Sequence, residues 1–379
     1  MKSSDSRHVI IIGGNHHNTL GVIRALGYKG LKSKIHLILE GDSKSFVSKS
    51  KYLNKSEIYY IKNEFEIPEL LVSITSCLQD KPVVIACGDH YISALDDKYD
   101  ELKKYCILPN AKATQGRINF YLDKENQDKV AKSNGLSIPE FDIVNTKTLT
   151  EYDILPCILK PINSVNGSKS DIAVCRTHEG IIQYIKEHPD IDKIRVEKFI
   201  DKVFEFQLIG CSLYQDIIIP GYTNIIRQPQ NTNTGYLIYR PISDGFILPE
   251  LLQSVKAFIQ EIGYYGLFSV EFLRDKQGND FFLEINMRND GNAYCVTTAG
   301  VNLPYIWYKY CDKGHQQIHE PRTFKHEIYW MPEADFRNAK KVGIFKWVRE
   351  WFLADSHGIA CCKDPYPLVS RFISKLVHL

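Results

Sequence analysis

Acidic residues interrupt two apolar runs that read as neighbouring strands. Residues 266–273 are GLFSVEFL and residues 280–287 are DFFLEINM, separated by the turn-forming stretch Asp275-Lys-Gln-Gly278-Asn. Side chains alternate faces along a strand, so Glu284 and Asn286 share a face and Arg288 continues the row. Glu271 meets them from the adjacent strand. A hairpin with a polar solvent face would leave unexplained why acids break runs containing Phe268, Val270, Phe272, Phe281, Phe282, Leu283 and Ile285. Two carboxylates and an amide oxygen converging beside a cation suit Mg²⁺ holding a nucleotide's phosphates. Arg288 is then expected to face the phosphoryl group in transfer, where negative charge accumulates.

The 379 residues allow two or three domains with substantial cores. Lys+Arg 47 against Asp+Glu 45 gives a net charge of +2, so no general attraction to nucleic acid is expected. The ten cysteines are scattered from Cys77 to Cys362 with no C-x-x-C pair, and the N-terminus MKSSDSRH is charged rather than signal-like. Together these predict idle thiols in a cytoplasmic protein, and no apolar run reaches the length of a membrane span.

His8-Val-Ile-Ile-Ile12 ends in Gly13-Gly14, the pattern of a strand buried on both faces. Thr19 to Leu26 has helical spacing, and Ile35–Leu39 and Pro82–Cys87 read as further buried strands. This order predicts a parallel α/β domain. The first turn is GGNHHNTLG, without the G-x-G-x-x-G of dinucleotide binding, which disfavours a Rossmann dehydrogenase. His16 and His17 in this turn read either as contacts to a polar ligand at a helix N-terminus or as plain turn residues. Further on, Gln127-Asp128-Lys129 is expected to open a helix that stops at Asn134-Gly135. Strands are expected at 156–160, 172–175 and 194–199, with a helix at 178–187 and a small-residue loop at 163–170. That unit reads as a lid. The remainder beyond residue 312 reads as a helical tail.

In order, Lys129, Lys160 before the loop, Glu197-Lys198-Phe199, Glu205 and the row ending E-I-N-x-R resemble the ATP-grasp superfamily over about residues 120–300. The resemblance implies a mixed α/β and α+β architecture. Its expected parts are an N-terminal α/β domain (1–115), a lid with its leading helix (116–199), a central domain with the metal site (200–312) and a helical extension (313–379). It implies that Lys129 and Lys160 bind the α- and β-phosphates of ATP, and that the loop with Lys169 closes over the β- and γ-phosphates. Backbone groups of Glu197, Lys198 and Phe199 would read the adenine edge, and Glu205 would take the ribose hydroxyls. Glu271, Glu284 and Asn286 would hold one or two Mg²⁺ ions, with Mn²⁺ as a substitute, and Arg288 would stabilise the γ-phosphate.

The chemistry implied is carboxylate activation to an acyl phosphate, followed by capture with an amine and release of ADP and phosphate. Within the superfamily, Asn18–Gly27, Glu284–Asn292 and Ala299–Pro304 resemble D-aspartate ligases and carbamoyl-phosphate-synthase-like proteins of cell-wall and capsule clusters. That resemblance places Arg227, with Asp290 and Asn292, at the amino-acid substrate or acyl phosphate, although an arginine in a polar loop reads equally well as a surface charge. The implied partners are small carboxylate and amine substrates, one of them open to being nucleotide- or lipid-linked, and a homodimer is left open. A catalytically weak nucleotide-binding regulator of the same fold is the competing reading. The basic, aromatic segment Lys340–Phe352 could lie on a membrane, but apolar helical stripes usually pack on a core, and packing is the expectation.

Overall fold

The computed structural model describes residues 7–147, 149, 152–161, 172–214, 216–229, 234–313 and 319–377. Four parallel strands open the chain: β1 (Val9–Gly14), β2 (Ile35–Glu40), β3 (Ile58–Ile61) and β4 (Val83–Ala86), in the order β3-β2-β1-β4. Val9 to Ile12 are fully buried, because helices cover both faces of a parallel sheet. The chain lays β2 and β3 to one side of β1 and then crosses to place β4 on the other. Strand order therefore reverses between β1 and β4, and their carboxyl ends border a crevice of the kind in which open α/β sheets bind ligands. At Gly13 an added Cβ would lie 2.3 Å from Thr19 Oγ1 and 3.1 Å from Cys87 Cβ, so only glycine lets the helix His17–Gly27 pack this closely over the strand end.

The second sheet is built on two twelve-residue strands, β10 (Lys202–Leu213) and β14 (Tyr264–Asp275), paired antiparallel from Lys202↔Asp275 to Ser212↔Gly266. Its path is β15-β14-β10-β12-β13-β16-β17, with β15 (Asp280–Asn286), β12 (Gly221–Arg227), β13 (Tyr236–Pro241), β16 (Ile328–Met331) and β17 (Ser356–His357). The short strands β5 (Asn110–Ala111) and β11 (Asp216–Ile218) pair with β14 and β10. The region expected to be a helical tail thus contributes two strands to this sheet. Ile328-Tyr-Trp-Met331 is a four-residue apolar run, too short to distinguish strand from helix by period alone.

A third, four-stranded antiparallel sheet has the order β6-β9-β7-β8, comprising β6 (Phe141–Asn145), β7 (Cys157–Pro161), β8 (Ala173–Cys175) and β9 (Lys193–Lys198). With the helix His178–Glu187 it encloses its own small core, including Leu159, Ile181, Tyr184 and Val196.

The C-terminal segment is tied down by buried charge. Arg24 and Asp364, both fully buried, pair at 3.0 Å, and Asp364 also accepts from Ser50 Oγ and the Lys51 amide. The helix Ile344–Leu353 departs from expectation. Only Trp347 is buried, while Ile344, Phe345, Val348, Phe352 and Leu353 are exposed.

Candidate active site

The acidic row lies where β14 and β15 pair. Glu271 is directly opposite Glu284 and Ser269 opposite Asn286, with a bulge just after Glu271 that re-aims its side chain. Gln207 Nε2 donates to Glu271 Oε1 at 2.9 Å and Asn286 Nδ2 at 3.1 Å. Burial, and then the neighbouring charges of Glu284 and Asp290, push the Glu271 carboxyl up to about 8. Glu284 goes the other way: burial opposes ionisation, but Lys124, Arg288 and Lys160 outweigh it and lower its proton affinity. The site therefore holds two facing acids whose environments drive their protonation apart.

This donor set fits a hard cation. Among the described residues no cluster of three or more His, Cys, Asp or Glu converges, so an ion here would use two carboxylates and the amide oxygen of Asn286. That oxygen accepts from Arg288 Nη2 at 3.1 Å, while the amide nitrogen faces Glu271. The oxygen keeps a second lone pair with which it could meet an ion.

Cations face the row from the lid side. Lys124 Nζ lies 3.0 Å from Glu284 Oε2. Lys160, at the end of β7, donates to Glu197 Oε1 at 2.6 Å. Glu197 also accepts from Arg195 Nε at 3.0 Å, and Arg195 continues to Asp128. Burial lowers the Lys160 pKa, since few water molecules solvate its ammonium.

The opposite wall belongs to the first sheet. Arg288 donates from Nε and Nη2 to both oxygens of Asp89, at 3.0 and 3.1 Å, where the helix Asp89–Asp97 follows β4. Asn18 Nδ2 donates to Asn289 O at 2.9 Å and to Cys87 O at 3.1 Å, and Asn289 answers through its own amide nitrogen. Behind the row, Asn292 Nδ2 donates to Gln207 Oε1 at 2.8 Å, and so fixes the amide that holds Glu271. Asp290 accepts from Ser269 Oγ at 2.8 Å and from the Asn292 amide at 2.7 Å. A cavity of about 850 Å³ spans the two walls, from Glu271, Glu284, Asn286 and Arg288 to Asn15, His16, His17 and Asp89, with Arg371 of the helix Tyr366–Val377 at its rim. Burial first, then nearby positive charge, lowers the pKa of both His16 and His17 and so favours their neutral forms.

The match to known proteins follows this geometry. Residues 248–333 match the family model described as ATP-grasp in the biosynthetic pathway with Ter operon. The structure is similar to N5-carboxyaminoimidazole ribonucleotide synthetase in complex with ADP, with a TM-score of 0.65 and 14% identity over 86% of this chain and 81% of that one. The chain carries the ATP-grasp fold. It is also similar to an L-amino acid ligase from Bacillus licheniformis, with a TM-score of 0.59 and 15% identity over 84% and 78% of the two chains. By sequence it is 24% identical to the D-aspartate ligase of Enterococcus faecium (strain Aus0004) over 256 residues. That alignment covers 59% of this chain and 57% of the relative, so the chain spans little more than half of the relative's length.

Against this ATP-grasp frame, several sequence expectations move. Lys129 does not reach the cavity: it is 67% exposed and pairs with Glu125 one turn back, at 2.8 Å. The helix starts at Lys124, three residues earlier than expected, because Asp123 caps it by accepting from the amides of Glu125 and Asn126. Lys124 in its first turn is the cation that meets the acids.

Arg227 is neither at the cavity nor a free surface charge. It donates to both oxygens of Asp335 and to Glu350 at 2.5 Å, with Tyr236 beneath its guanidinium. This linkage ties β12 to the C-terminal segment, and nothing in the local sequence of Arg227 names Asp335 or Glu350 as its partners.

The side chain of Glu197 is absorbed by Lys160 and Arg195. The amides of Lys198 and Phe199 already donate to Glu140 O and Pro156 O, at 2.8 and 3.1 Å. Arg176 covers the Phe199 ring, and Glu205 pairs with Lys202. Asn292 acts behind the row rather than at the cavity, whereas Asp290 lines it. Lys169 and the loop 163–170 lie outside the described residues. Sequence reasoning missed Lys124, Asp89, Gln207, Asn18 and Asn289. Only Lys124 had a local signal, the Asp123 cap.

Proposed function

We propose that the chain is an ATP-dependent carboxylate–amine ligase working through an acyl phosphate. The observation that carries this reading is the pairing of Glu271 and Glu284 beside Arg288, with Lys124 and Lys160 opposite and the β1/β4 crevice opening into the same cavity. A nucleotide's phosphates would lie between the lysines and the acidic row, and a second substrate in the crevice. Mg²⁺, held by Glu271, Glu284 and Asn286, would screen phosphate charge and polarise the γ-phosphoryl group. At the hinge, with the amides of Lys198 and Phe199 engaged, reading the adenine edge falls to carbonyl groups and to the amide of Ile200.

A carboxylate oxygen attacks the γ-phosphorus, and the bond to the β-phosphate oxygen breaks, releasing ADP. Arg288 stabilises the charge on the transferring group. An amine then attacks the acyl carbon, inorganic phosphate leaves, and the nitrogen gives up a proton. His16 and His17 line the crevice, but burial and the nearby arginine charge disfavour their protonated forms, so the proton would pass to solvent. Because the intermediate hydrolyses readily, a lid that excludes water is useful. Similarity to the D-aspartate ligase supports an amino acid as one substrate, and its attachment to a cell-wall or capsule precursor is part of the proposal.

The test is hydroxamate formation from MgATP, hydroxylamine and a panel of carboxylates that includes D-aspartate. Carboxylate-dependent hydroxamate that disappears in Glu284→Gln is expected. Nucleotide binding with no carboxylate-dependent ADP release would refute the ligase and favour the regulator.

A further inference from the structure

The C-terminal helices present a surface that the catalytic reading does not use. Between residues 336 and 353 every exposed side chain is apolar or basic. The apolar ones are Phe336, Ile344, Phe345, Val348, Phe352 and Leu353, with Phe345 90% and Phe352 80% exposed. The basic ones are Arg337, Lys340, Lys341, Lys346 and Arg349. The one acid in the helix Ile344–Leu353, Glu350, is turned inward to Arg227, and its other oxygen lies 3.9 Å from Lys346, a loose and largely solvated pair. The whole chain is nearly balanced in charge, so this is a local concentration of positive charge around aromatic groups.

The helix is oriented by its own packing. Trp347 and Trp351 stack on each other at 5.3 Å, and Trp351 stacks on His357 at 3.8 Å, which fixes the inner face. Phe345, Val348 and Phe352 are spaced three and four residues apart, so they form one ridge on the outer face, flanked by Lys346 and Arg349. On the helix Tyr366–Val377, Phe372 and Ile373 are likewise exposed, while its Arg371 turns to the cavity. A contact between protein copies favours an apolar centre depleted in lysine. Aromatic side chains bordered by lysine and arginine, with no exposed acid before Asp355, instead match the interface of a bilayer bearing anionic headgroups. No helix among the described residues is long and apolar enough to cross a membrane, so contact would be at the surface.

We propose that the segment 336–353 docks the enzyme on an anionic membrane surface, with Phe345 and Phe352 entering the headgroup layer and the surrounding lysines and arginines meeting lipid phosphates. Co-sedimentation of the full chain with vesicles of phosphatidylcholine, with and without phosphatidylglycerol, tests this. Binding is expected only to the anionic vesicles and is expected to fall as salt rises. The double variant Phe345→Ser/Phe352→Ser should weaken it at least about tenfold, and Lys340→Ala/Lys341→Ala by about 30-fold. Phe65→Ser, at another highly exposed phenylalanine, should leave it unchanged. Because all these side chains are exposed, each variant should keep the parent's circular dichroism and melting temperature. Absence of binding to anionic vesicles at low salt, or equal binding to neutral ones, would overturn the proposal. So would a wild-type dimer in solution that dissociates in Phe345→Ser/Phe352→Ser, which would assign this face to a second copy.

Discussion

Replacing Lys124 by alanine, beside the parallel replacement of Lys129, discriminates between two versions of the phosphate site. Lys124 Nζ lies 3.0 Å from Glu284 Oε2, and both side chains are less than a third exposed. Lys129 is 67% exposed and pairs, among the described residues, with Glu125 on its own helix. A hydrogen bond to a charged partner in a partly buried site is worth about 1.5–3 kcal/mol. If Lys124 transfers that interaction to a nucleotide phosphate, Lys124→Ala should raise the Kd for MgADP by about 10- to 150-fold. Lys129→Ala should leave it within about twofold, as expected for a solvated pair. Isothermal titration calorimetry of MgADP against the three proteins reads this directly. Equal losses in the two variants, or a larger one in Lys129→Ala, would refute the assignment and return the phosphate role to Lys129.

Other outcomes follow from the buried charges. Arg227→Ala leaves the fully buried Asp335 without its bidentate partner and should destabilise the protein by about 3–5 kcal/mol in urea unfolding. An unchanged unfolding midpoint with a raised KM for an amino acid would restore the substrate role. Asp364→Ala strands Arg24 in the interior at a similar cost of about 3–5 kcal/mol, and should expose the helix Tyr366–Val377 to limited proteolysis; an unchanged digestion pattern would contradict this. For Glu271, whose carboxyl burial pushes up to about 8 from the ordinary 4.5, the native state binds more protons than the unfolded state between those values. Ligand-free stability should therefore be highest at the acid end of that window and fall as pH rises through about 8. Thermal melts of Glu271→Gln should lose this slope, and a parallel slope in the variant would place its origin elsewhere.

The most legible part of the sequence was the part whose chemistry conflicts with its surroundings. Glu271, Glu284 and Asn286 stood out because acids in apolar strands cost free energy unless something compensates, and period-two alternation was enough to put Glu284 and Asn286 on one face. The strand-helix-strand order at the N-terminus was legible for a related reason, since runs such as Val9–Ile12 fit only a sheet covered on both sides. What stayed hidden was pairing across the chain. Asp89 is 199 residues from Arg288, and nothing near either residue names the other. Lys124 was lost to a helix boundary placed three residues late, and boundaries are where local propensity is weakest. Arg227 was misjudged for the opposite reason: its local sequence looked polar and loop-like, and only the C-terminal segment, folded back over β12, supplies Asp335 and Glu350. The outward face of the helix Ile344–Leu353 could not be read from its apolar stripe, because a stripe shows which residues are apolar and not which way they turn.

The charge arrangement at the cavity suggests how nucleotide would enter without a large electrostatic cost. Among the described residues, both lysines that face the acidic row are already held by an acid, Lys124 by Glu284 and Lys160 by Glu197. Taking either lysine for a phosphate alone would leave a carboxylate uncompensated in a partly buried site. A nucleotide arriving with its divalent cation avoids this, since the phosphates take the lysine and the cation takes Glu284 and Glu271 in one exchange of partners. Glu197 remains satisfied throughout, because Arg195 holds its second oxygen. On this argument, nucleotide without a divalent ion should bind far more weakly than phosphate charge alone would suggest, and Glu284→Gln should narrow that difference by freeing Lys124 in advance. Equal affinity for ADP and MgADP in the unsubstituted protein would show that the lysines and acids do not exchange partners in this way.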